Sequence, residues 1–424
     1  MLHRRLQQLE LMVEEQGPDA VAWDSDQPEN FTYLYDPAWL LVRAGEEDNV
    51  RRTLDETGEL LDDWGEPQVI DSVVGPLPLS RLRLPERRDG DPRRVQLAMD
   101  ALDRAELNAE GRPQVAAPEH WVHLAAGGTG RLCPATEPEP ADPRDTWPEP
   151  AGDPSVGAGA RVVVVDSGWH PPAGDPAGRT PWLDGVTGTD EGNIAGQPLR
   201  PYAGHGTFIA GTVRSIAHGA EIWVERFFNG TALREVDMVL GLLQAFEHEP
   251  NLINLSAGCT SRKDRPLLSF EVFHEVFFKE RNHECLLVAA AGNDGVADPF
   301  WPASFDWAIG VGSLNRDETV SDFSNFGSSA DLFAVGADLV NAYPDGTYTC
   351  HEVPHTGEQR VFKNGAARWS GTSFASPTVV GLIAAEMDGS VGVSTAWANV
   401  RGRLVSVPGS GGTGTVDALR PPYT

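Results

Sequence analysis

From Ala160 onward, short unbroken apolar runs alternate with stretches of helical periodicity. The runs are Arg161–Val165, Glu221–Arg226, Leu252–Leu255, Cys285–Ala291 and Trp307–Gly312. The helical stretches are Gly206–Ile216, Leu233–Glu247, Leu267–Glu280 and Ser376–Met387. A strand that is apolar on both faces leaves no side for water, so such strands separated by helices predict a parallel sheet covered on both faces. Residues 159–410 are therefore expected to form one α/β domain, with 411–424 as a tail.

The first third of the chain has a different rhythm. Residues 1–36 open with a short amphipathic helix and continue into polar chain dotted with aromatics. Ala38–Ala44 predicts a strand, Glu46–Glu56 a helix, and Gln68–Leu77 and Leu79–Pro85 two further strands. Pro92–Leu107 predicts a helix with Pro92 in its first turn, and Val115–Ala125 a last strand. The order βαββαβ over 37–126 is the split βαβ arrangement of a small ferredoxin-like α+β domain. Gly127–Ala158 is crowded with Gly, Pro, Asp and Glu, and is expected to be an extended linker without a core.

Composition narrows the partners. The chain of 424 residues exceeds what one hydrophobic core serves, which agrees with two domains. A net charge of −29 argues against nucleic acid or an anionic membrane surface as a partner, since both need basic footprints. No run approaches the ~18 apolar residues of a membrane helix, and Met1–Glu10 lacks the apolar core of a signal peptide, so a cytoplasmic location is expected. The cysteines at 133, 259, 285 and 350 are then expected to be reduced. His351 and His355 beside Cys350 have a helical metal spacing, but Pro354 and Gly357 make this stretch a loop, and no metal is assigned.

Three motifs carry chemistry: Val-Val-Asp166-Ser-Gly, Gly-His205-Gly-Thr and Gly-Thr-Ser373-Phe-Ala-Ser-Pro. A serine hydroxyl is a poor nucleophile until a base takes its proton, and that base must be oriented by a third group. Asp166 ends an apolar strand, a rigid place from which to aim a carboxylate. His205 lies between two glycines at the start of a helix, and Ser373 precedes the helix carrying Pro377, at a positive helix end. A fourth element, Ala-Ala-Gly-Asn293-Asp, follows an apolar strand and offers an amide donor for an oxyanion, alongside the backbone N–H of Ser373.

The order Asp, His, Ser on an α/β pattern resembles the subtilisin family (subtilases) of serine endopeptidases. The resemblance runs through most of 160–395 and includes Ile253-Asn-Leu-Ser-Ala-Gly258, Trp301-Pro-Ala303 and Phe323-Ser-Asn-Phe-Gly327. It implies Asp166, His205 and Ser373 as the triad, Asn293 in the oxyanion hole, and Ser256, Ala257 and Gly258 pairing with the substrate backbone. It also implies that the N-terminal domain is a propeptide, an intramolecular chaperone and inhibitor whose last strand enters the cleft. The maturation cleavage would lie in the linker beyond that strand. A peptide or protein is the implied substrate, with a dedicated precursor or regulatory partner favoured over nutrient scavenging.

Several positions depart from the family pattern. Phe208 stands where a second histidine is common, and Asn341–Arg368 lengthens the approach to Ser373 as an expected hairpin flap over the cleft. Phe300 is expected to intrude on the primary specificity pocket and favour small residues there, with Asp294 beside it rejecting acidic ones. No cofactor is required by this chemistry. Calcium is common in the family and the carboxylates of Asp184–Glu191 are its candidate ligands, without a fixed-spacing motif. The rival reading is a catalytically silent peptide-binding module with its N-terminal domain permanently docked.

Overall fold

The computed structural model describes residues 2–57, 68–71, 76–85, 93–109, 111–124, 136–142, 145, 148, 152–170, 181–193, 196–281, 284–409 and 414–420, with side chains left undescribed at 2–8, 29, 68–71 and 181. The N-terminal unit begins with α1 (Leu2–Gln16) and β1 (Ala22–Trp23), followed by β2 (Leu34–Arg43), α2 (Glu47–Glu56), β3 (Gln68–Asp71), β4 (Leu79–Arg83), α3 (Arg94–Arg104) and β5 (Ala116–His123). From β2 onward this is the βαββαβ order, in an antiparallel sheet ordered β5-β2-β4-β3. The helices bury Val50, Leu54, Val95, Ala98 and Leu102 against one face of it.

Two expectations for this region need correction. Residues 1–36 are no separate extension, because β1 pairs with β2 and the side chains of Leu9, Met12, Phe31 and Trp121 share one cluster. Nor is the stretch 127–158 only a linker. Thr136–Pro140 lies along the larger domain, with β6 (Glu139–Pro140) forming an edge strand, and Glu137 is buried.

The larger domain is a nine-stranded sheet built around β7 (Arg161–Asp166), whose four consecutive valines are buried on both faces. Its other strands are β8 (Val186–Gly188), β9 (Glu221–Arg226), β11 (Leu252–Leu255), β12 (Leu286–Ala290), β13 (Ala308–Leu314), β14 (Leu332–Val335), β19 (Val405–Pro408) and β20 (Thr415–Ala418). The pairings from β8 through β14 are parallel, as the apolar runs predict. β20 pairs with β14, so part of the expected C-terminal tail is sheet.

Helices α4 (His205–Arg214), α7 (Thr372–Ala385) and α8 (Val393–Arg401) cover one face; α5 (Glu235–Ala245) and α6 (Leu268–Phe273) cover the other. The helix expected over Leu267–Glu280 changes to a π-turn at His274–Phe278. The remaining strands are β10 (Ala232–Arg234), β15 (Leu339–Ala342), β16 (Gly346–Thr349), β17 (Gln359–Phe362) and β18 (Ala366–Trp369). Strands β15 to β18 form two nested hairpins. They are packed rather than poised as a free flap: Leu199 bridges to Tyr348, and the Tyr202 hydroxyl donates to Glu352 over 2.7 Å.

Candidate active site

Asp166 ends β7, an interior strand between β11 and β9, and is fully buried. Its carbonyl accepts the N–H groups of Phe227 and Phe228, which holds the strand end still. His205 is the first residue of α4, also fully buried, with Nδ1 2.8 and 2.9 Å from the two Asp166 carboxylate oxygens. Nδ1 therefore carries the proton it donates to the carboxylate, and the lone pair lies on Nε2.

The flanking glycines are steric requirements. Gly204 adopts φ +80°, and a Cβ there would meet Pro344 at 2.5 Å; a Cβ on Gly206 would lie 2.6 Å from the Gly168 carbonyl. Trp369 and Phe374 pack against the imidazole at ring separations of 5.5 and 5.3 Å.

Ser373 does not precede its helix but is the second residue of α7, and Pro377 lies four residues further inside. Proline has no N–H, so the Ser373 carbonyl lacks its usual helical donor. Ser256 Oγ donates to that carbonyl instead, at 2.9 Å, and itself lies 2.9 Å from Asn254 Nδ2 and 3.0 Å from Ser376 Oγ. The end of β11 thus grips the first turn of α7. His205 Nε2 and Ser373 Oγ are both buried and have no hydrogen-bond partner among the described residues. The Asp–His link is closed and the His–Ser link is open, a looseness common before substrate arrives.

Asn293 is buried just beyond β12, and its Oδ1 accepts the N–H and the hydroxyl of Thr372 at 2.8 and 3.0 Å. These contacts fix the amide by its oxygen, with Nδ2 as its donor end, and tie it to Thr372, the residue before Ser373. Sequence reasoning gave Asn325 no role, yet its Oδ1 accepts the N–H groups of Asp294 and Val296 and staples the loop that presents Asn293. Asp294 is half-buried in that loop.

The three residues expected to pair with substrate divide their work. Ser256 supports Ser373, Ala257 packs in the core, and Gly258 exchanges both backbone hydrogen bonds with His123, at 3.1 and 2.9 Å. On its other edge β5 runs antiparallel to β10, and the Leu124 N–H reaches the Thr231 carbonyl. The last strand of the N-terminal sheet therefore lies between Gly258 and β10. Side chains reinforce the contact: Arg262 bonds Asp100 and Asp103, Arg43 bonds Glu275, and His120 Nδ1 is 2.8 Å from Glu235 Oε1. Phe300 is fully buried, and its ring would meet a Cβ on Gly258 at 2.3 Å and one on Gly292 at 3.0 Å. It fills the space between those two strand ends.

The sequence model of the subtilase family matches residues 157–407, more than half of the chain. The chain belongs to the subtilase family. This subtilase is 29% identical over 243 residues to an intracellular serine protease of Paenibacillus polymyxa, covering 54% of this chain and 66% of that protein. It is 27% identical over 241 residues to subtilisin Savinase of Lederbergia lenta, covering 54% and 76%. The match to the M-protease of Shouchella clausii, at 27% identity, spans 54% of this chain and about half (54%) of that relative's length. Among solved structures, fervidolysin from Fervidobacterium pennivorans shares the fold, with a TM-score of 0.53 and 17% identity over 91% of this chain and 60% of that one.

The subtilase's loop at Asp184–Glu191 does not fit a calcium ion. Asp190 Oδ1 accepts the Gly192 N–H, and Glu191 turns inward, fully buried. Its Oε1 accepts the Gly204 N–H at 2.7 Å and the Ser167 hydroxyl at 3.0 Å, while Oε2 accepts Asn193 Nδ2 at 2.8 Å. Burial pushes the Glu191 carboxyl up to about 7. Among the described residues no group of three or more His, Cys, Asp or Glu could hold a metal. His355 pairs with Glu358, and Cys259, Cys285 and Cys350 are buried and free, while Cys133 lies outside the described residues. No described helix is long and apolar enough to cross a membrane.

Proposed function

We propose that this subtilase is a serine endopeptidase made as a self-inhibited zymogen. The observation that carries the reading is the buried His205, with Nδ1 held by both Asp166 oxygens and Nε2 left as the base next to Ser373. Ser373 Oγ attacks the peptide carbonyl while Nε2 takes its proton and later returns it to the leaving amine. Asp166 keeps the tautomer and stabilises the imidazolium. The oxyanion meets Asn293 Nδ2 and the backbone N–H of Ser373, which sits in the first turn of α7 where N–H groups have no helical acceptor.

The N-terminal unit acts as the inhibitor: β5 takes the place of an extended substrate between Gly258 and β10. Residues 125–135, where the maturation cleavage is placed, lie outside the described residues. Their neighbours support the placement, because Leu124 is bonded to Thr231 and Thr136 is bonded to Ser370, three residues before the nucleophile. A cytoplasmic site of action is supported by the likeness to an intracellular serine protease and by three buried free cysteines. Phe300 limits the residue before the cleaved bond to a small side chain, and Asp294 disfavours an acidic one there.

Intact mass spectrometry of the wild type beside Ser373→Ala tests the main reading. The wild type is expected to lose its N-terminal unit by a cut within 125–135, and S373A to stay whole with peptidase turnover reduced on the order of 10⁶-fold. If neither is cut and the wild type ignores a serine-directed phosphonate, the silent binding module is correct instead. For the pocket, Phe300→Ala is expected to raise kcat/KM for peptides with an aromatic residue before the cut by about tenfold or more. A wild type that already prefers aromatics would sink that assignment.

A further inference from the structure

Glu191 is the one buried carboxylate that touches both sides of the Asp–His pair among the described residues, and nothing in the triad chemistry uses it. Its Oε1 holds Gly204, the residue that caps α4 just before His205, and Ser167, the residue just after Asp166. The Ser167 hydroxyl in turn accepts the Gly206 N–H at 3.2 Å, on the far side of His205. The main chain at Glu191 is equally constrained: its N–H bonds the Trp169 carbonyl, and its carbonyl accepts the Arg200 guanidinium. Gly168, at φ +105°, has no room for a side chain because a Cβ would lie 3.0 Å from the Glu191 Cα.

We infer that Glu191 is a positioning residue for the His205 base: by holding Gly204 and Ser167 on one oxygen, it fixes the start of α4 against the end of β7. That sets the angle at which the imidazole meets the Asp166 carboxylate and the Ser373 hydroxyl. α4 has no side-chain cap of its own at Gly204. Ser167 Oγ takes the second helical N–H, at Gly206, and Glu191 takes the N–H of Gly204 itself, the part played by the N3 carboxylate in a capping box, from a different element. Removing it leaves the buried Gly204 N–H and Ser167 hydroxyl without an acceptor, and the two triad-bearing ends are free to shift. The inference rests on the peptidase reading above, but its geometric half is measurable without turnover.

The experiment compares Glu191→Ala, Glu191→Asp and Glu191→Gln, each made as the full-length chain, with kinetics read after the N-terminal unit has been removed and NMR read on the full-length chain. Steady-state kinetics on a peptide are paired with proton NMR of the Nδ1–H of His205, whose bond to a carboxylate places it far downfield. Glu191→Ala is expected to lower kcat about tenfold or more with KM within about twofold, and to shift or broaden the Nδ1–H signal. Glu191→Gln keeps an oxygen at the same reach and is expected to restore kcat to within about threefold and to keep the signal. Glu191→Asp is one methylene short and folds if the alanine variant does not; it is expected to fall between them. An unchanged kcat and signal in the alanine or aspartate variant overturns the inference, as does a glutamine variant as poor as alanine. If the wild type has no turnover at all the peptidase reading fails, while the NMR comparison, repeated in S373A, still decides the role of Glu191.

Discussion

The chain holds the catalytic centre from two sides, and the two contacts are built differently. On one side, β5 reaches the cleft through backbone pairing with Gly258 and β10, and the N-terminal unit is further fastened by ion pairs at the rim and by the buried pair His120–Glu235. Arg262 joins Asp100 and Asp103 at 2.5 Å each, and Asp100 is half exposed. On the other side, Thr136–Pro140 lies against β18 and buries Glu137. The Glu137 carboxylate accepts the Tyr348 hydroxyl and the N–H groups of His351 and Glu352, and Arg360 donates to the Glu137 and Pro138 carbonyls. Ion pairs with an exposed partner, such as Arg262–Asp100 and Arg43–Glu275, are weak and screened by salt, whereas a buried carboxylate with satisfied donors is costly to disturb. The first contact mixes both kinds, and the second rests on Glu137. Under the zymogen proposed above, the first contact is the one to be released and the second is the one that would stay with the processed enzyme.

That contrast can be broken. The largest effect is expected from Glu137→Ala, which orphans three donors, two of them buried, and should destabilise the processed enzyme by about 2–4 kcal/mol, seen as a lower Tm. Inhibition by the N-terminal unit added in trans should stay within about twofold. The reverse result, weaker inhibition with unchanged Tm, would mean the two contacts have been assigned the wrong way round. A smaller effect is expected from Arg262→Ala, about 1–2 kcal/mol or roughly tenfold weaker inhibition in trans, with the Tm of the processed enzyme unchanged. The loss should shrink as salt is raised, because the wild-type contact is screened as well. An inhibition constant untouched by the substitution would leave the backbone pairing as the whole of the docking energy.

How far the sequence reached follows from the same distinction between local and distant causes. The parallel sheet is legible because its strands, such as the four valines of β7, are apolar on both faces whatever their neighbours. The motif around His205 is legible because glycines are needed on the spot, as the close approaches at Gly204 and Gly206 demonstrate. Glu137 and Glu191 were not legible as buried groups, since each looks like one more acid in an acidic loop. Their burial depends on Tyr348 and His351 in one case, and on Ser167 and Gly204 in the other, all supplied by other parts of the chain. The placement of Ser373 inside α7 rather than before it was missed for a related reason. Pro377 reads as a first-turn residue until Ser256 is seen bonding the carbonyl that the proline leaves free.

The slot that β5 occupies has a consequence of its own. With the strand gone, Thr231–Arg234 and Gly258 form an unfinished sheet with a rung missing. Main-chain groups read no side chains, so any extended polypeptide of suitable length completes it. Choice among peptides then falls to the few points where side chains are felt, and to how many rival chains are present. A bare slot is also an invitation to the strand edge of another copy, so in the proposed zymogen the N-terminal unit would guard against self-association as well as block catalysis.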